Sequence, residues 1–531
     1  MSGRAGAEAA PHASGPHRYA WAAGGDVSAF LGLTFDNVAQ LIVFSTILIA
    51  GFGFPADLVL GRMLPGTALG VLVGDLTYTW LAFRLARRTG RDVTAMPLGI
   101  DTVSLFGLTF GALGPAFQRT GDAVLAWEAG MALMIAMGAF KIAITWLAAR
   151  LRDVVPPAAM LGTIGGIGLA LIAFLPMLKI FAVPVVGLPA LLLIVIALLR
   201  SVRLPGGIPA VLVVVVATAG TFYALAAAGV VPPLPMAGAA EAAAIGIRLP
   251  LPTLAFLRGV PLALDYLPLA LPLAFATIIG GIDNTESAAA AGDRYDTRSI
   301  LLTEGVSTLV AGLFGGVIQT TPYIGHPAYK RMGGRAGYTL ATAFFVGLGG
   351  ALGYLSWLVH ALPEVVVVPI LVYVGLEIAS QSFQAAPARH GAAVAVSFLP
   401  ALASLVLIVV NQMLSAGGVA GHALAGDAAT AFRALEMLAA GFVFSAMLLG
   451  SAVAFAIDGR HGALAVTLAL AAIATWFGVI HSPLPGSATF LPWRIADRTP
   501  LLAGAGYATV ALVAAVRWLA ARGAAPSHAS T

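Results

Sequence analysis

The 531-residue chain contains no cysteine. Disulfides, thiolate nucleophiles and Cys-ligated metals are therefore excluded, and the chain carries no mark of a redox compartment. Charge is scarce as well. Asp, Glu, Lys and Arg make up 10% of the chain, against about 25% in soluble domains. HExxH and GxxxxGK[ST] are absent, so neither a zinc-hydrolase helix nor a phosphate loop is signalled, and no cofactor is implied. GTIGGIG at 162–168 lies inside an apolar run without a strand-turn-helix context. It reads as helix packing through small residues, not as a nucleotide loop. AAGD at 290–293 has no partner aspartate motif, which leaves an intramembrane hydrolase without its acid dyad.

What is abundant is apolar sequence, 60% of the residues. Runs of about 20 such residues recur, each long enough to cross a bilayer. The chain reads as an all-α polytopic membrane protein, not an enzyme, with the lipid bilayer as partner and no nucleic acid. Spans are expected near 33–54, 64–84, 97–117, 124–149, 155–178, 183–200 and 207–229. A second set is expected near 263–291, 300–317, 322–334, 338–361, 363–383, 391–414 and 430–457, with further runs at 461–481 and 500–521; the runs at 97 and 322 start with polar, Pro-bearing stretches and read as half-spanning elements, 322–334 being too short to cross. The first 28 residues are small, polar and Gly/Pro-rich without a signal-peptide core, and 1–30 reads as a disordered cytoplasmic tail.

The net charge of +5 comes from short loops. Arg84, Arg87, Arg88 and Arg91, then Arg150 and Arg152, Arg200 and Arg203, Arg294 and Arg298, Lys330, Arg331 and Arg335, Arg389 and Arg460 all follow even-numbered spans. That asymmetry predicts a cytoplasmic N-terminus in a cell (inner or plasma) membrane, although Arg494 and Arg498 run against it.

Three echoes suggest an internal repeat. Asp36-Asn37 in TFDNVAQL returns as Asp283-Asn284 in GIDNTESA, MPLGID at Pro97 returns as TPYIGH at Pro322, and the Pro156…Gly168 spacing returns as Pro363…Gly375. Seven spans per half is an odd number, so the halves must be inverted. Pro-interrupted short segments at matching positions of inverted repeats point to a transporter binding site.

Carboxylates in apolar runs are expensive and are functional candidates. Asp283 and Glu286 are three residues apart and share a helix face, flanked by Asn284 and Ser287. They suit solute hydrogen bonding or proton coupling; the bland alternative is that both are solvated at the span end. The polar starts TAMPLGID and TTPYIGHP offer Gly99, Ile100 and Asp101, and Gln319, Tyr323, Ile324, Gly325 and His326. Unpaired backbone there is tolerated only around a cavity. The alternative for Asp101 is a helix N-cap, and for His326 a buried ring bonded to a carbonyl. Asp36, Asn37 and Gln40 open the first span as mates of the span-8 pair, or as an interfacial cap.

AGLFGG (311–316), Thr320-Thr321-Pro322-Tyr323-Ile324 and GGRAGYT (333–339) together resemble the nucleobase–cation symporter-2 (xanthine/uracil/ascorbate permease) family, closest to its purine branch. The likeness is best over 263–383, weaker over 33–180 and faint beyond 390. It implies a seven-plus-seven inverted repeat with core and gate domains and elevator-type alternating access. The implied boundaries are core 31–150 and 263–362, gate 151–262 and 363–457, with extra C-terminal spans and tail at 458–531. It also implies that solute sits between two half-helices, held by the span-8 acid, which falls at Asp283, and by backbone of spans 3 and 10. Proton or cation coupling and homodimers through the gate domain complete the family pattern. Two departures stand out. Glu286 replaces a usual glycine, and Gly325 replaces a usual glutamate. The expectation is a proton- or cation-coupled permease for a small heterocyclic solute such as a nucleobase, with Asp283 and Glu286 coupling. The alternative is an anion exchanger of the same fold, of the sulfate or bicarbonate type.

Overall fold

The computed structural model describes residues 18–523, apart from 147–154, 201, 203, 205–209, 234–245, 248, 324, 420, 485–486 and 488. The side chain of Asp283, residue Ile324 and the basic positions Arg150, Arg152 and Arg203 lie outside the described residues.

The chain is an α-helical membrane protein of seven-plus-seven inverted-repeat architecture. In lipid each backbone N–H and C=O must find a partner within the protein, and helices achieve this locally. The first half holds α1 (Gly25–Thr46), α2 (Leu64–Thr89), β1 (Leu98–Ile100), α3 (Thr102–Leu108), α4 (Ala123–Ile144), α5 (Pro157–Ala182), α6 (Pro184–Leu199) and α7 (Ala210–Ala227). The second holds α8 (Leu267–Ala290), α9 (Thr297–Leu313), β2 (Thr320–Pro322), α10 (His326–Arg331), α11 (Gly337–Leu352), α12 (Glu364–Ala385), α13 (Gly391–Ala416) and α14 (Phe442–Ile457). A hairpin of α15 (His461–Trp476) and α16 (Thr499–Gly523) follows and packs on α14.

Two boundaries differ from the sequence reading. Helix α1 begins at Gly25, inside the segment read as a tail. The cause is Asp26, whose carboxylate accepts N–H bonds from Ala23 (2.7 Å), Arg335 (2.8 Å) and Tyr338 (3.0 Å), pinning the helix start to the far half of the chain. The run 430–457 is not one straight span. It is a helix over Gly426–Ala439 and then α14, bent by 76°. The bend falls at Gly441 (φ 64°), where a Cβ would overlap the carbonyl of Val479. Only a residue free to adopt positive φ fits there. The segment 322–334 is the half-spanning element its length implied, a strand followed by the six-residue α10.

The two Pro-bearing segments meet. β1 and β2 pair antiparallel, with Leu98 opposite Pro322, Gly99 opposite Thr321 and Ile100 opposite Thr320. Tyr323 N–H donates to the Pro97 carbonyl (2.8 Å) and Asp101 N–H to the Gln319 carbonyl (2.9 Å), extending the ladder at both ends.

The helices approach closely through small residues, the usual device where lipid supplies no hydrophobic drive. The echoed glycines Gly168 and Gly375 touch each other where α5 crosses α12, since a Cβ on Gly168 would stand 3.0 Å from the Gly375 carbonyl. Helices α2, α4 and α9 interlock the same way. A Cβ on Gly66 would overlap the backbone nitrogen of Gly316, and one on Gly138 would stand 2.8 Å from that of Leu309.

These seats give a direct test. Gly66→Ala is expected to abolish monodisperse protein in fluorescence-detected size exclusion, because the obstacle is backbone. Gly220→Ala on α7, with nothing within 4 Å, is expected to elute as wild type. A normal Gly66→Ala profile would mean that α2 does not pack this closely on the Phe314–Gly316 turn.

Candidate functional site

The outer edges of a two-stranded ribbon carry unpaired backbone groups, and in a membrane each needs a partner. Five side chains supply them, Thr308 of α9 adding a longer bond (3.4 Å) to the Thr320 carbonyl beside the four that follow. Asn37 Oδ1 on α1 accepts from Ile100 N–H (3.0 Å), and Asp75 Oδ1 on α2 accepts from Leu98 N–H (3.1 Å). On the other strand, Asn284 Nδ2 on α8 donates to the Pro322 carbonyl (2.6 Å), and Lys141 Nζ on α4 donates to that of Thr320 (3.3 Å). Asn37 and Asn284, the echoed pair of the repeat, thus do one task on opposite strands.

On α1, Gln40 Nε2 donates to Asp36 Oδ2 (2.8 Å) and to Tyr323 Oη (3.3 Å). Asp36 Oδ1 and Gln40 Oε1 are buried with no hydrogen-bond partner. The Tyr323 ring covers Gly99, where a Cβ would stand 2.9 Å from it. Asn37, Gln40, Gly99, Ile100, Tyr323 and Asn284 are therefore brought together around the crossing.

The other expected site residues separate from this group. Asp101 is the N-cap of α3, its Oδ2 accepting from Ser104 N–H (2.8 Å) and from Gln319 Nε2 (3.0 Å). Glu286 is exposed, two residues beyond buried Asn284 and so about 200° around the helix from it. Ser287 lines a cavity with Lys330 and Arg331. Gly325 is the N-cap residue of α10, seated under the Tyr329 ring. His326 turns away from the crossing. Its Nε2 lies 3.1 Å from the Thr94 carbonyl and 3.3 Å from Asp293 Oδ2, and Lys330 Nζ lies 2.7 Å from Asp293 Oδ1.

Sequence reasoning passed over a buried ion pair behind β2. Lys141 Nζ lies 2.8 Å from Glu304 Oε1, with both side chains at most 1% exposed. Glu304 Oε2 has no hydrogen-bond partner and faces Gly281 of α8, where a Cβ would stand 2.8 Å away. Asp75 Oδ2 is unpartnered too. The signal was present: a lone lysine in MALMIAMGAFKIAI and a lone acid in LLTEGVSTL. Among the described residues Lys141 is the one lysine or arginine that is buried, against Asp36, Asp75, Asp101 and Glu304 near the crossing.

No family model matches the chain, and no curated protein matches it. Solved structures do. The transmembrane domain of a cyanobacterium bicarbonate transporter, BicA, is 16% identical with a TM-score of 0.44, covering 74% of this chain and 97% of that one. SLC26A9 is 15% identical at 0.46, covering 74% of this chain and 65% of that one. The murine SLC26A9 anion transporter in the inward-facing state is 16% identical at 0.47, over 74% and 68%. These names correct the family reading. The neighbours are anion transporters, not nucleobase–cation symporters.

Two outcomes follow from the charges. Lys141→Met leaves Glu304 buried without its cation and is expected to destabilise by about 3–5 kcal/mol. The double variant Lys141→Met/Glu304→Gln should recover most of that loss in thermal unfolding in detergent. A Lys141→Met protein as stable as wild type would place the Glu304 charge elsewhere. The second concerns Asp293, in the loop after α8. Burial alone would raise its pKa, but hydrogen bonds from His326, Lys330 and the Thr94 amide outweigh it and hold the carboxyl below its usual range. Its contribution is full above the ordinary carboxylate value of about 3.9 and is lost as pH falls through the lower folded value. Wild type should therefore lose stability on acidification below about pH 4, and Asp293→Asn should show a flatter acid limb, read by unfolding midpoint against pH.

Proposed function

We propose that the chain is a secondary transporter of a small anion, moved together with a proton or another cation by alternating access. The observation that carries the reading is the strand crossing, with its buried carboxylates and unpartnered oxygens. Ionisable groups inside a membrane protein mark ion and proton paths. The unpartnered atoms Asp36 Oδ1, Gln40 Oε1, Asp75 Oδ2 and Glu304 Oε2 are all acceptors. They call for positive charge. An anion 5 Å from one carboxylate is opposed by about 3 kcal/mol at an effective dielectric of 20, so it settles there only with a compensating cation. That favours symport over simple exchange.

In this reading α1–α4 with α8–α11 form the core, and α5–α7 with α12–α14 form the gate. Support comes from a cavity of about 960 Å³ between the two groups, lined by Phe106 and Phe110 of the first and Leu171, Lys179, Glu364 and Asn411 of the second. It is lined by the C-terminal end of α1 (Val43, Thr46), on the side away from the N-terminus, for which the basic loops favour the cytoplasm. The solute seat is Gly99, Ile100, Asn37, Gln40, Tyr323 and Asn284. His326 and Asp101 hold the scaffold, and Asp283 and Glu286 have no assigned part in it.

The test is uptake of labelled bicarbonate and sulfate into proteoliposomes, with and without inward proton or sodium gradients. Gradient-dependent anion uptake is expected. Uptake of a neutral heterocycle in place of either anion, or anion exchange indifferent to both gradients, would overturn the proposal.

A further inference from the structure

We infer that Asp36, paired with Gln40, is the proton-carrying group that couples transport, which rests on the transport reading above. The two side chains stand one turn apart on one face of α1. Asp36 is 2% exposed and Gln40 0%. One hydrogen bond between them is made, from Gln40 Nε2 to Asp36 Oδ2 at 2.8 Å. The other oxygen of each, Asp36 Oδ1 and Gln40 Oε1, is buried without a partner.

A neutral carboxylic acid and a primary amide pair through two hydrogen bonds, each group donating once and accepting once. Here the amide-to-acid bond is present, and the acid-to-amide bond lacks only its proton. One proton on Asp36 Oδ1 gives both orphan oxygens a partner. Its loss leaves two unsatisfied buried acceptors, each costing free energy of the order of a lost hydrogen bond. The pair therefore has two states of different stability, set by one proton.

The pair also touches the solute seat. Gln40 Nε2 bonds Tyr323 Oη (3.3 Å), and the Tyr323 ring covers Gly99 of β1. The adjacent Asn37 holds Ile100 N–H. When Asp36 loses its proton, Gln40 is drawn toward the charged carboxylate and away from Tyr323, so the state of the acid is felt at the strand crossing.

The other titratable groups on elements packed against α1 are Asp101 at the start of α3, His326, Tyr329, Lys330 and Arg331 on α10, Tyr338 on α11, Tyr354 on the short helix Tyr354–Ala361, and Glu364, Tyr373 and Glu377 on α12. Tyr323 follows β2, and Asp26 lies at the start of α1. Among the described residues none of these hydrogen-bonds or ion-pairs with Asp36. A proton or a monovalent cation is the charge left to compensate it, and the amide geometry favours the proton.

Asp36→Asn mimics the protonated state, because an asparagine amide can donate to Gln40 Oε1 and accept from Nε2. In proteoliposomes, wild type is expected to accumulate solute on an inward proton gradient. Asp36→Asn is expected to fall to the equilibrium ratio, with solute exchange that no longer varies with pH. Infrared difference spectra of the two purified proteins between acid and alkaline pH should differ by one protonated-carboxyl band. Proton-driven accumulation by Asp36→Asn, or unchanged carboxyl bands, overturns the inference. Accumulation by wild type on a sodium gradient alone overturns the proton in favour of a metal cation. If wild type moves no solute, the transport reading fails, and the infrared band alone decides whether Asp36 titrates. Should Asp36→Asn not fold, Gln40→Leu removes both partners and keeps the acid. An unmoved pH midpoint of its carboxyl band would also overturn the inference.

Discussion

The β1–β2 crossing is the constraint on which the rest of the structure depends. Two extended segments in the middle of a membrane bundle leave backbone groups that lipid cannot satisfy. Pairing the strands satisfies the inner edge. Each outer edge then needs donors and acceptors from surrounding helices, and α1, α2, α4 and α8 provide one polar side chain apiece: Asn37, Asp75, Lys141 and Asn284. Much of the polar and charged content of these apolar spans is explained by this accounting. Lys141 in turn requires Glu304, because a lone buried ammonium is untenable.

The same crossing explains the glycines. Strands carried between helices need room, and α2 gives it by backbone contact of Gly66 with Gly316 in the turn after α9. Gly99 lies flat under Tyr323 because a side chain there would strike the ring. The first half and the second half solve one problem twice. The echoed asparagines Asn37 and Asn284 hold the two strands, and the echoed Gly168 and Gly375 meet at one helix crossing. Sequence echoes two or three residues long survive in this fold because contact geometry, not chemistry at large, fixes those positions.

The architecture was legible in the sequence, since long apolar runs, odd span number per half and Pro-bearing half-elements are direct consequences of the bilayer. The helix start at Gly25 was not, because Asp26 is satisfied by residues more than 300 positions away, Arg335 and Tyr338. The bend at Gly441 was equally hidden, its cause being the distant Val479 carbonyl. At the site, the polar residues of spans 1, 3 and 10 were visible as breaks in hydropathy. Their partners were not: His326 and Glu286 share the motifs but point away from the crossing, and direction is a property of tertiary packing. The family name was the weakest inference, because motifs a few residues long report local backbone geometry, and a fold does not fix its solute.

Position along the motif therefore says less about role than the inventory of satisfied atoms does. Asn284 and Asn37 spend their amide groups on backbone, which makes them supports first. Asp101 has its oxygen Oδ2 bound by Ser104 and Gln319, the signature of a cap. Asp36 differs from all of these. It touches no strand directly, it has an oxygen with no partner, and its one neighbour, Gln40, has the matching vacancy. The structural acid Asp26, by contrast, is met by three amides across its two oxygens. Leaving acceptors open at 2% exposure is costly, and the arrangement becomes economical only if something positive visits the site.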